Sequence, residues 1–409
     1  MNALVVLTGV AGSTSADWPH WRGPNRDGIS SETGLLKAWP AGGPPLAWKI
    51  KGIGAGYGNV AVVGEQIFIQ GDEGESTWLF ALNRADGKRV WAAKLGTPGA
   101  PGWGGFAGPR CTPAFDNNLV FAVGQFGQVG CFEAATGKVI WQKDYEKDFG
   151  GTRPEWGFAA SPVIDGEKLI LAPGGDNGNL VALNKKDGSL IWRSKDYADK
   201  HHYSTPLPVE IFGTRQYLQL TEKSIAGIAA EDGHLIWKMP RRGITAVIPD
   251  PLYLDGFVYI TSGYGVGCSL YKLAGEGNNL TATQVYANKV MVNHHGGVVR
   301  LGEYLYGYSE GKGWTCQNFK TGEAVWQEKG KLGKGSIAAV DGTLILREEK
   351  PSTGKVALLE LSPSGYKQIS EFTPPDQSGK NNWPYPTVVG GMLFLRDQDV
   401  LLCYDLRTH

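Results

Sequence analysis

The sequence has few cysteines, no excess of charge of either sign and no long apolar run beyond its N-terminus. It contains 5 cysteines, and this small, odd number argues against a disulfide framework. Its 40 basic residues are balanced by 40 acidic residues, so a nucleic-acid partner is not expected. No later stretch approaches the roughly 18 apolar residues of a membrane span, so no transmembrane segment is expected.

Glycine and aromatic residues are abundant instead. The 409 residues include 59 glycines, 14 tryptophans, 16 tyrosines and 14 phenylalanines. This combination is typical of many short strands joined by tight turns, with aromatic side chains packed between sheets. The composition therefore favours a large all-β architecture, which often exceeds the usual size of a single domain.

Residues 1–16 are interpreted as a signal peptide. Their apolar run ends in small residues, Thr14 and Ala16, which fit a cleavage before Asp17. The basic region that normally precedes such a run is missing, so either the natural start lies upstream or the segment is a frayed N-terminus. A signal peptide predicts a periplasmic or secreted protein. No cysteine follows the apolar run, so a lipid anchor is not expected.

A short segment that ends in Gly-x-x-x-Trp occurs five times. In each copy a strand pattern leads to Asp-Gly or Thr-Gly, and a tryptophan follows the glycine by four positions. This pattern predicts a β-hairpin in which the glycine supplies the positive φ of the turn and the indole packs between neighbouring sheets. The five copies are 80–91, 131–141, 181–192, 228–237 and 318–326.

The spacing of these hairpins predicts a ring of repeated units. Degenerate copies occur near Gly277, which no tryptophan follows, and near Gly365, where Ile369 has the tryptophan position. Two more strands precede each hairpin, and four strands per 43–51 residues make a propeller blade. Eight blades are predicted, near 57–96, 108–145, 157–197, 202–243, 246–289, 291–332, 334–374 and 382–409.

The last predicted blade lacks one strand. Residues 45–50 contain Trp48 with no hairpin before it, so they are available to supply the missing strand. We therefore predict an all-β, eight-bladed β-propeller with tryptophan-docking repeats, whose ring is closed by an N-terminal strand in the last blade. Residues 17–43 are then an N-terminal extension, and 44–409 form a single domain.

These hairpins resemble the tryptophan-docking repeats of the pyrroloquinoline-quinone (PQQ) superfamily of β-propellers. The form Ala-Leu-(Asn/Asp)-x-x-(Asp/Thr)-Gly-x-x-x-Trp carries the resemblance, which covers about residues 44–409. Residues 18–30, Trp-Pro-His-Trp-Arg-Gly-Pro-Asn-Arg-Asp-Gly-Ile-Ser, are similar to the leader of bacterial secreted PQQ-binding-like β-propeller repeat proteins. The superfamily also includes quinoprotein alcohol dehydrogenases and a propeller lipoprotein that helps to assemble outer-membrane barrels.

The chain departs from the quinoprotein dehydrogenases that it resembles. Those enzymes are longer, carry a disulfide between adjacent cysteines over the cofactor, and hold calcium beside a catalytic aspartate. No two cysteines are adjacent in this sequence, and no calcium-binding set is recognised by motif, so neither feature is carried over. The assembly lipoprotein needs a lipidated cysteine, for which the chain offers no candidate. PQQ is retained as a candidate cofactor.

The cysteines in the hairpins occupy a position that requires a small side chain. Six residues before each turn glycine, the sequence has either cysteine or one of the smallest residues, and the last blade follows the same rule. This alternation indicates packing and free, buried thiols rather than redox chemistry or metal binding. The position is occupied by Ala81, Cys131, Ala182, Gly227, Cys316 and Cys403.

The loops that lead into the innermost strand of each blade meet at the axis of a closed ring. Here they carry both charge signs and several aromatic rings, which is the profile of a small-molecule pocket. Trp103 and Trp156, in loops before blades 2 and 3, either stack on a sugar or flat cofactor or cover the blade tops. We predict one central funnel with the ligand-binding residues Tyr57, Arg110, His202, Tyr203, Asp250, His294, His295, Lys334 and Trp383.

Two arrangements within this funnel suggest chemistry. In an extended segment, one of His294 and His295 points to the axis and the other into a blade. The inward histidine is either a hydrogen-bonded structural group or, beside Asp250, a general base. Arg110 and Lys334 are suited to hold an anion such as a carboxylate or the acids of PQQ.

Three functions compete at this point. The leading hypothesis is an exported, rigid and monomeric propeller that binds a small molecule, a carbohydrate or a protein partner at its funnel. The alternatives are a PQQ-dependent oxidoreductase that acts on an alcohol or sugar, and a carbohydrate lyase that uses His, Tyr and Arg. The fold does not choose among them. His294 and Asp250 are the catalytic candidates; together with His202 they make a conceivable metal site, but no spacing motif supports it and no metal is predicted.

Overall fold

The chain forms a ring of eight β-sheets in the computed structural model, which describes residues 17–350 and 353–408. The interpreted signal peptide lies outside the described residues. Two strands precede the ring of blades, β1 (Ile29–Ser30) and β2 (Leu46–Lys51). Blades 1 and 2 consist of β3 (Ala61–Val63), β4 (Gln66–Glu73), β5 (Ser76–Asn83), β6 (Arg89–Gly96), β7 (Ala114–Asp116), β8 (Leu119–Val123), β9 (Gln128–Glu133) and β10 (Val139–Asp144).

The following blades repeat the same order of four antiparallel strands, from the innermost to the outermost. Blades 3 and 4 consist of β11 (Val163–Asp165), β12 (Lys168–Leu171), β13 (Val181–Asn184), β14 (Leu190–Arg193), β15 (Leu207–Ile211), β16 (Thr214–Leu220), β17 (Ser224–Ala229) and β18 (Leu235–Pro240). Blades 5 and 6 consist of β19 (Leu252–Leu254), β20 (Phe257–Ser262), β21 (Gly267–Glu276), β22 (Asn279–Asn288), β23 (Val298–Leu301), β24 (Tyr304–Ser309), β25 (Gly313–Asn318) and β26 (Ala324–Glu328).

Blades 7 and 8 complete the predicted eight-bladed propeller, which the structure confirms. They consist of β27 (Gly335–Val340), β28 (Thr343–Glu348), β29 (Val356–Glu360), β30 (Gln368–Phe372), β31 (Thr387–Val389), β32 (Met392–Asp397) and β33 (Val400–Asp405). A single helical turn, α1 (Tyr145–Phe149), follows blade 2. No helix in the described part of the chain is long and apolar enough to cross a membrane.

The N-terminal strand closes the ring as predicted. Strand β2 pairs with β33 in antiparallel fashion, with Trp48 opposite Cys403. Blade 8 thereby gains its fourth strand from the other end of the domain, and its outer edge is covered. The hydrophobic core lies between neighbouring sheets; one cluster, for example, joins Phe68 of blade 1 to Val120 and Phe132 of blade 2.

Five tryptophans dock one blade onto the next, whereas Trp237 donates its indole N–H to Gln216 of its own blade (2.8 Å). Trp91 on the outer strand of blade 1 lies over Gly137 in the hairpin of blade 2, where an added Cβ would come within 2.5 Å of the indole ring. The indole Nε1 donates a hydrogen bond to the carbonyl of Ala134 (2.9 Å). Because Gly137 has φ +73°, glycine serves both the turn and the close approach. The same contact is made by Trp48 with Arg84 O, Trp141 with Lys185 O, Trp192 with Ala230 O and Trp326 with Ser362 O.

Blade 5 has no tryptophan in its hairpin, and Tyr286 replaces it. The Tyr286 ring would lie 2.8 Å from a Cβ at Gly322 of blade 6, and its hydroxyl donates to the carbonyl of Phe319 (2.8 Å). The degenerate unit near Gly277 therefore keeps the docking geometry with a smaller ring. The sequence pattern missed this residue because it required an indole four positions after the glycine, whereas Tyr286 lies well beyond that position in a longer hairpin.

All five cysteines are free and buried. Cys131 lies directly opposite Trp141, and Cys316 opposite Trp326. The large indole side chain crosses the neighbouring strand at this point, which explains why a small residue is required there. At Gly227 in blade 4, an added Cβ would collide with Trp237 Nε1, so this position accepts only glycine.

The N-terminal extension fills one end of the central channel, which the sequence did not predict. Strand β1 pairs in parallel with β27, the innermost strand of blade 7. Trp18 and Val62 exchange two backbone hydrogen bonds (2.7 and 2.9 Å). We call residues 18–30 the plug. Its other hydrogen bonds to innermost strands are Phe115 N to Pro19 O (2.8 Å), Arg22 Nη2 to Val298 O (2.6 Å) and Ala339 N to Gly28 O (3.0 Å).

Candidate functional site

The opposite end of the channel is open and forms a cavity of about 360 Å³. The loops that lead into the innermost strands surround it, because each of them begins at this end of its blade. All the residues predicted for the central funnel except His202 lie in its wall. The aromatic part of the wall consists of Trp21, Tyr57, Trp103, Phe106, Trp156, Tyr203, Tyr264, Trp383 and Tyr385.

Trp383 is the centre of one aromatic wall. Its ring lies 4.5 Å from that of Tyr57 and 5.0 Å from that of Phe106. On its other side the imidazole of His295 is stacked at 4.5 Å with an interplanar angle of 19°. These contacts fix the orientation of Trp383 within a cluster of rings that forms an apolar side of the cavity.

The facing wall carries two further indoles on the loops before blades 2 and 3. Trp156 Nε1 donates to the carbonyl of Trp103 (3.0 Å), which ties the two loops together. The Tyr203 hydroxyl accepts a hydrogen bond from the Trp156 backbone N–H (3.2 Å), and burial raises the pKa of Tyr203 to about 12. Trp103 is 77% exposed, so this wall is available to a ligand that enters from solvent.

Trp21 of the plug forms the floor of the cavity. Its Nε1 donates to Asp250 Oδ2 (2.6 Å), and its ring meets the ring of Tyr385 edge-on at 4.8 Å. Asp250 Oδ1 accepts from the Thr205 backbone N–H (2.7 Å), and burial raises the pKa of this carboxyl group. The sequence analysis missed Trp21, although two tryptophans outside the repeat register at 18 and 21 were a signal.

Arg110 brings a buried positive charge to the wall. Its Nη1 and Nη2 donate to the carbonyls of Gly108 (2.6 Å) and Phe106 (2.7 Å), and its guanidinium lies 5.6 Å from the ring centre of Tyr57. Burial lowers the pKa of Arg110, yet the backbone carbonyls do not neutralise its charge. Among the described residues, no carboxylate forms an ion pair with it. The site therefore has a fixed cation that forms no ion pair within the described part of the chain.

A charged cluster lies on the side formed by blades 6 and 7. Lys334 Nζ is 2.6 Å from His294 Nδ1, 3.0 Å from Glu310 Oε1 and 3.6 Å from Glu349 Oε1. The two carboxylates already balance the charge of Lys334. Of the two residues predicted to hold an anion, Arg110 and Lys334, only Arg110 therefore forms no ion pair with a described residue.

His294 and His295 both face the cavity, so the expectation that they point to opposite sides is wrong. Their rings are 3.7 Å apart, because residues 294–296 form a bend rather than a strand and Gly297 follows with φ +71°. Burial lowers the pKa of both histidines, which keeps them neutral near pH 7. Tyr264, at φ +55°, places its ring edge against His294 at 4.5 Å.

The remaining predicted arrangements are not formed. His202 lies outside the cavity wall, where its Nε2 is 3.2 Å from Glu222 Oε2, while the adjacent Tyr203 faces the cavity. The general-base pair of Asp250 and a histidine does not form, because Asp250 is held by Trp21 and Thr205. Within the described part of the chain, no group of three His, Cys, Asp or Glu side chains is arranged to hold a metal ion.

Comparison with known proteins places the repeats in a family. A family model described as "Outer membrane protein assembly factor BamB" matches residues 75–328. The protein of that name from Yersinia pestis is 25% identical over 243 residues, which are 58% of this chain and 56% of that protein. A tetrathionate hydrolase from Acidithiobacillus ferrooxidans is 28% identical over 115 residues, which are 28% of this chain and 19% of that protein. The chain thus spans about half the length, or less, of these curated relatives.

Solved structures share the fold at low sequence identity. BamB from Moraxella catarrhalis has a TM-score of 0.62 and 15% identity, and the match covers 88% of this chain and 97% of that chain. The quinohemoprotein alcohol dehydrogenase from Comamonas testosteroni has a TM-score of 0.66 and 10% identity, with 96% and 81% covered. Since the family model matches more than half of the sequence, from blade 1 to blade 6, the chain belongs to the PQQ-like β-propeller repeat family that is described by the assembly factor BamB.

Proposed function

We propose that this protein is an exported, rigid propeller that binds a small molecule in the cavity at the open end of its channel. The ligand has a flat or ring-shaped body and an anionic group. The observation that carries this proposal is Arg110, a buried guanidinium among aromatic rings that has no carboxylate partner in the described structure. Clefts of this size, with apolar walls and few polar groups, are the usual form of small-molecule sites.

Each side of the cavity has a role in this proposal. Trp156 and the aromatic cluster around Trp383 bound the space for a flat body. Arg110 supplies the charge for an anionic group, since a planar guanidinium suits a carboxylate. Lys334 is balanced by Glu310 and Glu349, so it contributes less attraction for an anion. Trp21 closes the bottom of the space.

PQQ, a flat aromatic acid, meets part of this description. The unpaired charge of Arg110 and the ring of Trp383 fit its acid groups and its flat body. The described residues do not fit the rest of the quinoprotein site. Cys111 near the cavity is a buried free thiol, and no described cluster suits a calcium ion. The residues therefore support binding of an acidic ring compound, and no oxidation step is derived from them.

Isothermal titration with three probes tests the proposal. PQQ and glucuronate both join a ring to a carboxylate, whereas glucose offers a ring without a charge. We expect saturable binding of at least one acid and no binding of glucose. Arg110→Gln should weaken the binding of the acid about tenfold to a hundredfold, because a hydrogen bond to a charged group contributes about 1.5–3 kcal/mol.

Two controls separate binding from folding. Trp383→Ala should also weaken binding, because it removes the centre of one aromatic wall of the cavity, while Trp103→Phe keeps a ring and should change affinity little. The melting temperature of Arg110→Gln should stay near that of the wild type, because glutamine retains a donor for the loop carbonyls. The proposal is wrong if neither acid binds, or if Arg110→Gln binds it as tightly as the wild type.

Family membership supports a second candidate, a role in the assembly of outer-membrane proteins. The curated relatives that match are named outer membrane protein assembly factors, and such a role would place this chain in the periplasm with a protein partner. Deleting the gene in its bacterium should then reduce the amount of folded outer-membrane protein. If the amounts of folded outer-membrane proteins do not change, this second candidate is wrong, and ligand binding in the cavity is the proposed function that remains.

A further inference from the structure

A second cleft lies between blades 4 and 5, away from the central axis. It encloses about 360 Å³. Its walls come from the residues that follow β18, the first residues of β21 and the last residues of β22. None of its described lining residues also lines the central cavity. The volume is within the range of small-molecule sites.

This cleft is positively charged. Arg241, Arg242 and Lys289 line it, and none of the described residues in its wall is an Asp or a Glu. The whole chain carries equal numbers of basic and acidic residues, 40 of each. The excess of positive charge in the cleft is therefore not a property of the chain as a whole. The side chains of Gln284 and Asn288 add amide groups to the same wall.

Arg241 is the innermost of the three cations. Its Nη2 donates to Ser262 Oγ (2.9 Å), whereas its Nη1 is buried and has no hydrogen-bond partner among the described residues. Burial lowers the pKa of Arg241 to about 10, so the side chain remains charged at neutral pH. A buried charge that lacks both a counter-ion and a full set of acceptors destabilises the protein.

Two other arginines find partners within the chain, although Arg22, Arg26 and Arg347 share with Arg241 a buried guanidinium nitrogen that has no partner among the described residues. Arg215, in the same blade 4, forms an ion pair with Asp165 (2.9 Å). The fully buried Arg396 donates to the carbonyls of Gly58 and Gly54 (3.0 Å each) and to that of Gln398 (2.9 Å). Arg241 forms no ion pair with a described residue, and Arg242 and Lys289, which line the same cleft, raise the local positive potential further.

We propose that the cleft between blades 4 and 5 is a binding site for a phosphate group. A phosphate carries more than one negative charge and several acceptor oxygens, which match three cationic side chains in one cleft that has no carboxylate among its described lining residues. The phosphate belongs either to a soluble small molecule or to the head group of an anionic lipid. This inference does not depend on the ligand of the central cavity.

Isothermal titration with inorganic pyrophosphate in a phosphate-free, low-salt buffer tests the site. We expect one equivalent to bind to the wild type. The double variant Arg242→Gln/Lys289→Gln removes two cations at the exposed side of the cleft, where folding is not at risk, and should weaken binding at least about tenfold. Arg241→Gln should weaken it further if the variant folds. Arg215→Gln removes one charge outside the cleft, as Arg241→Gln does within it, and should bind as the wild type does.

Sedimentation with vesicles distinguishes the two sources of the phosphate. Vesicles of phosphatidylcholine with phosphatidylglycerol provide the lipid head group, and pure phosphatidylcholine is the control. If the wild type binds pyrophosphate and the double variant does not, the ligand is a soluble phosphate compound. If the wild type binds only the vesicles, and the double variant does not, the ligand is a lipid head group. The proposal is overturned if neither probe binds, or if the double variant binds either probe as tightly as the wild type.

Discussion

The two ends of the central channel are lined by the same set of innermost strands, yet they are completed in opposite ways. At the open end, loops surround a cavity whose Trp103 is 77% exposed. At the closed end the plug pairs with the strands themselves, and its Trp18 is 4% exposed. The same type of side chain is therefore a potential ligand contact at one end and part of the core at the other.

This difference shows how a ring is turned into a pocket. The plug satisfies backbone groups of the innermost strands, as the paired Trp18 and Val62 show. It also delivers Trp21 to the middle of the channel, where the indole forms the floor of the cavity. A ligand site at the open end therefore depends on a segment that enters from the closed end.

The largest expected effect compares tryptophans at the two ends. Trp18→Ala should lower the free energy of unfolding by about 3–5 kcal/mol, because it empties a buried site beside Val60 and Val62. Trp103→Ala should change it by less than about 0.5 kcal/mol, since its side chain is exposed. Urea denaturation measures the free energy of unfolding of both variants. Equal decreases in the two variants would show that the tryptophans at the two ends do not differ in their contribution to stability.

The next effect concerns the contact between the plug and the cavity. Trp21→Phe keeps a ring but leaves Asp250 Oδ2 without the indole donor, so it should cost about 1–3 kcal/mol of stability. It should also weaken binding of the acidic probe, because the floor of the cavity changes. Tyr264→Phe, at the rim, is a suitable control. Full stability and affinity in Trp21→Phe would show that the two ends act independently.

Acid should destabilise the cluster at the open end. Burial lowers the pKa of His294 in the folded protein, whereas the unfolded chain takes up this proton near pH 6.5. The free energy of unfolding should therefore fall by about 1.4 kcal/mol per pH unit below pH 6.5 on account of this residue. In His294→Gln the slope should be shallower by that amount. Equal slopes in the variant and the wild type would contradict the assignment.

The smallest expected effect compares two glutamates. Glu32, which follows the plug, accepts hydrogen bonds from the backbone N–H groups of Gly390 and Gly391. Glu32→Gln should cost about 1 kcal/mol, since one charge-assisted bond is weakened. Glu155→Gln at the open end, where the carboxylate accepts a longer bond from Trp103 N (3.3 Å), should be nearly neutral. Thermal unfolding of the two variants measures both losses of stability. A larger loss in Glu155→Gln than in Glu32→Gln would contradict this expectation.

Repetition made the fold predictable from the sequence. The glycine and tryptophan of each hairpin recur at a fixed spacing, and the unmatched Trp48 indicated how the ring closes, as its pairing opposite Cys403 confirms. Loop positions could be assigned to the axis because every blade has the same topology. This placed Arg110 and Trp383 in one cavity wall.

The details of the site depend on local backbone and on contacts between distant segments. The bend at 294–296 turned both histidines to the same side, and alternation alone does not reveal such a bend. The path of the plug is not repeated anywhere in the chain, so no periodicity predicted that Trp21 reaches Asp250. Neither could the sequence show that Glu310 and Glu349 balance Lys334.

The most direct test follows the indole N–H signals by nuclear magnetic resonance during titration with PQQ and with glucuronate. Each tryptophan gives one signal, and single Trp→Phe variants assign them. We expect an acid to shift the signals of the cavity residues Trp21, Trp156 and Trp383 and to leave those of the docking residues Trp91, Trp141 and Trp192 in place. Shifts confined to the docking residues, or no saturable shift with either acid, would contradict a ligand site at the open end.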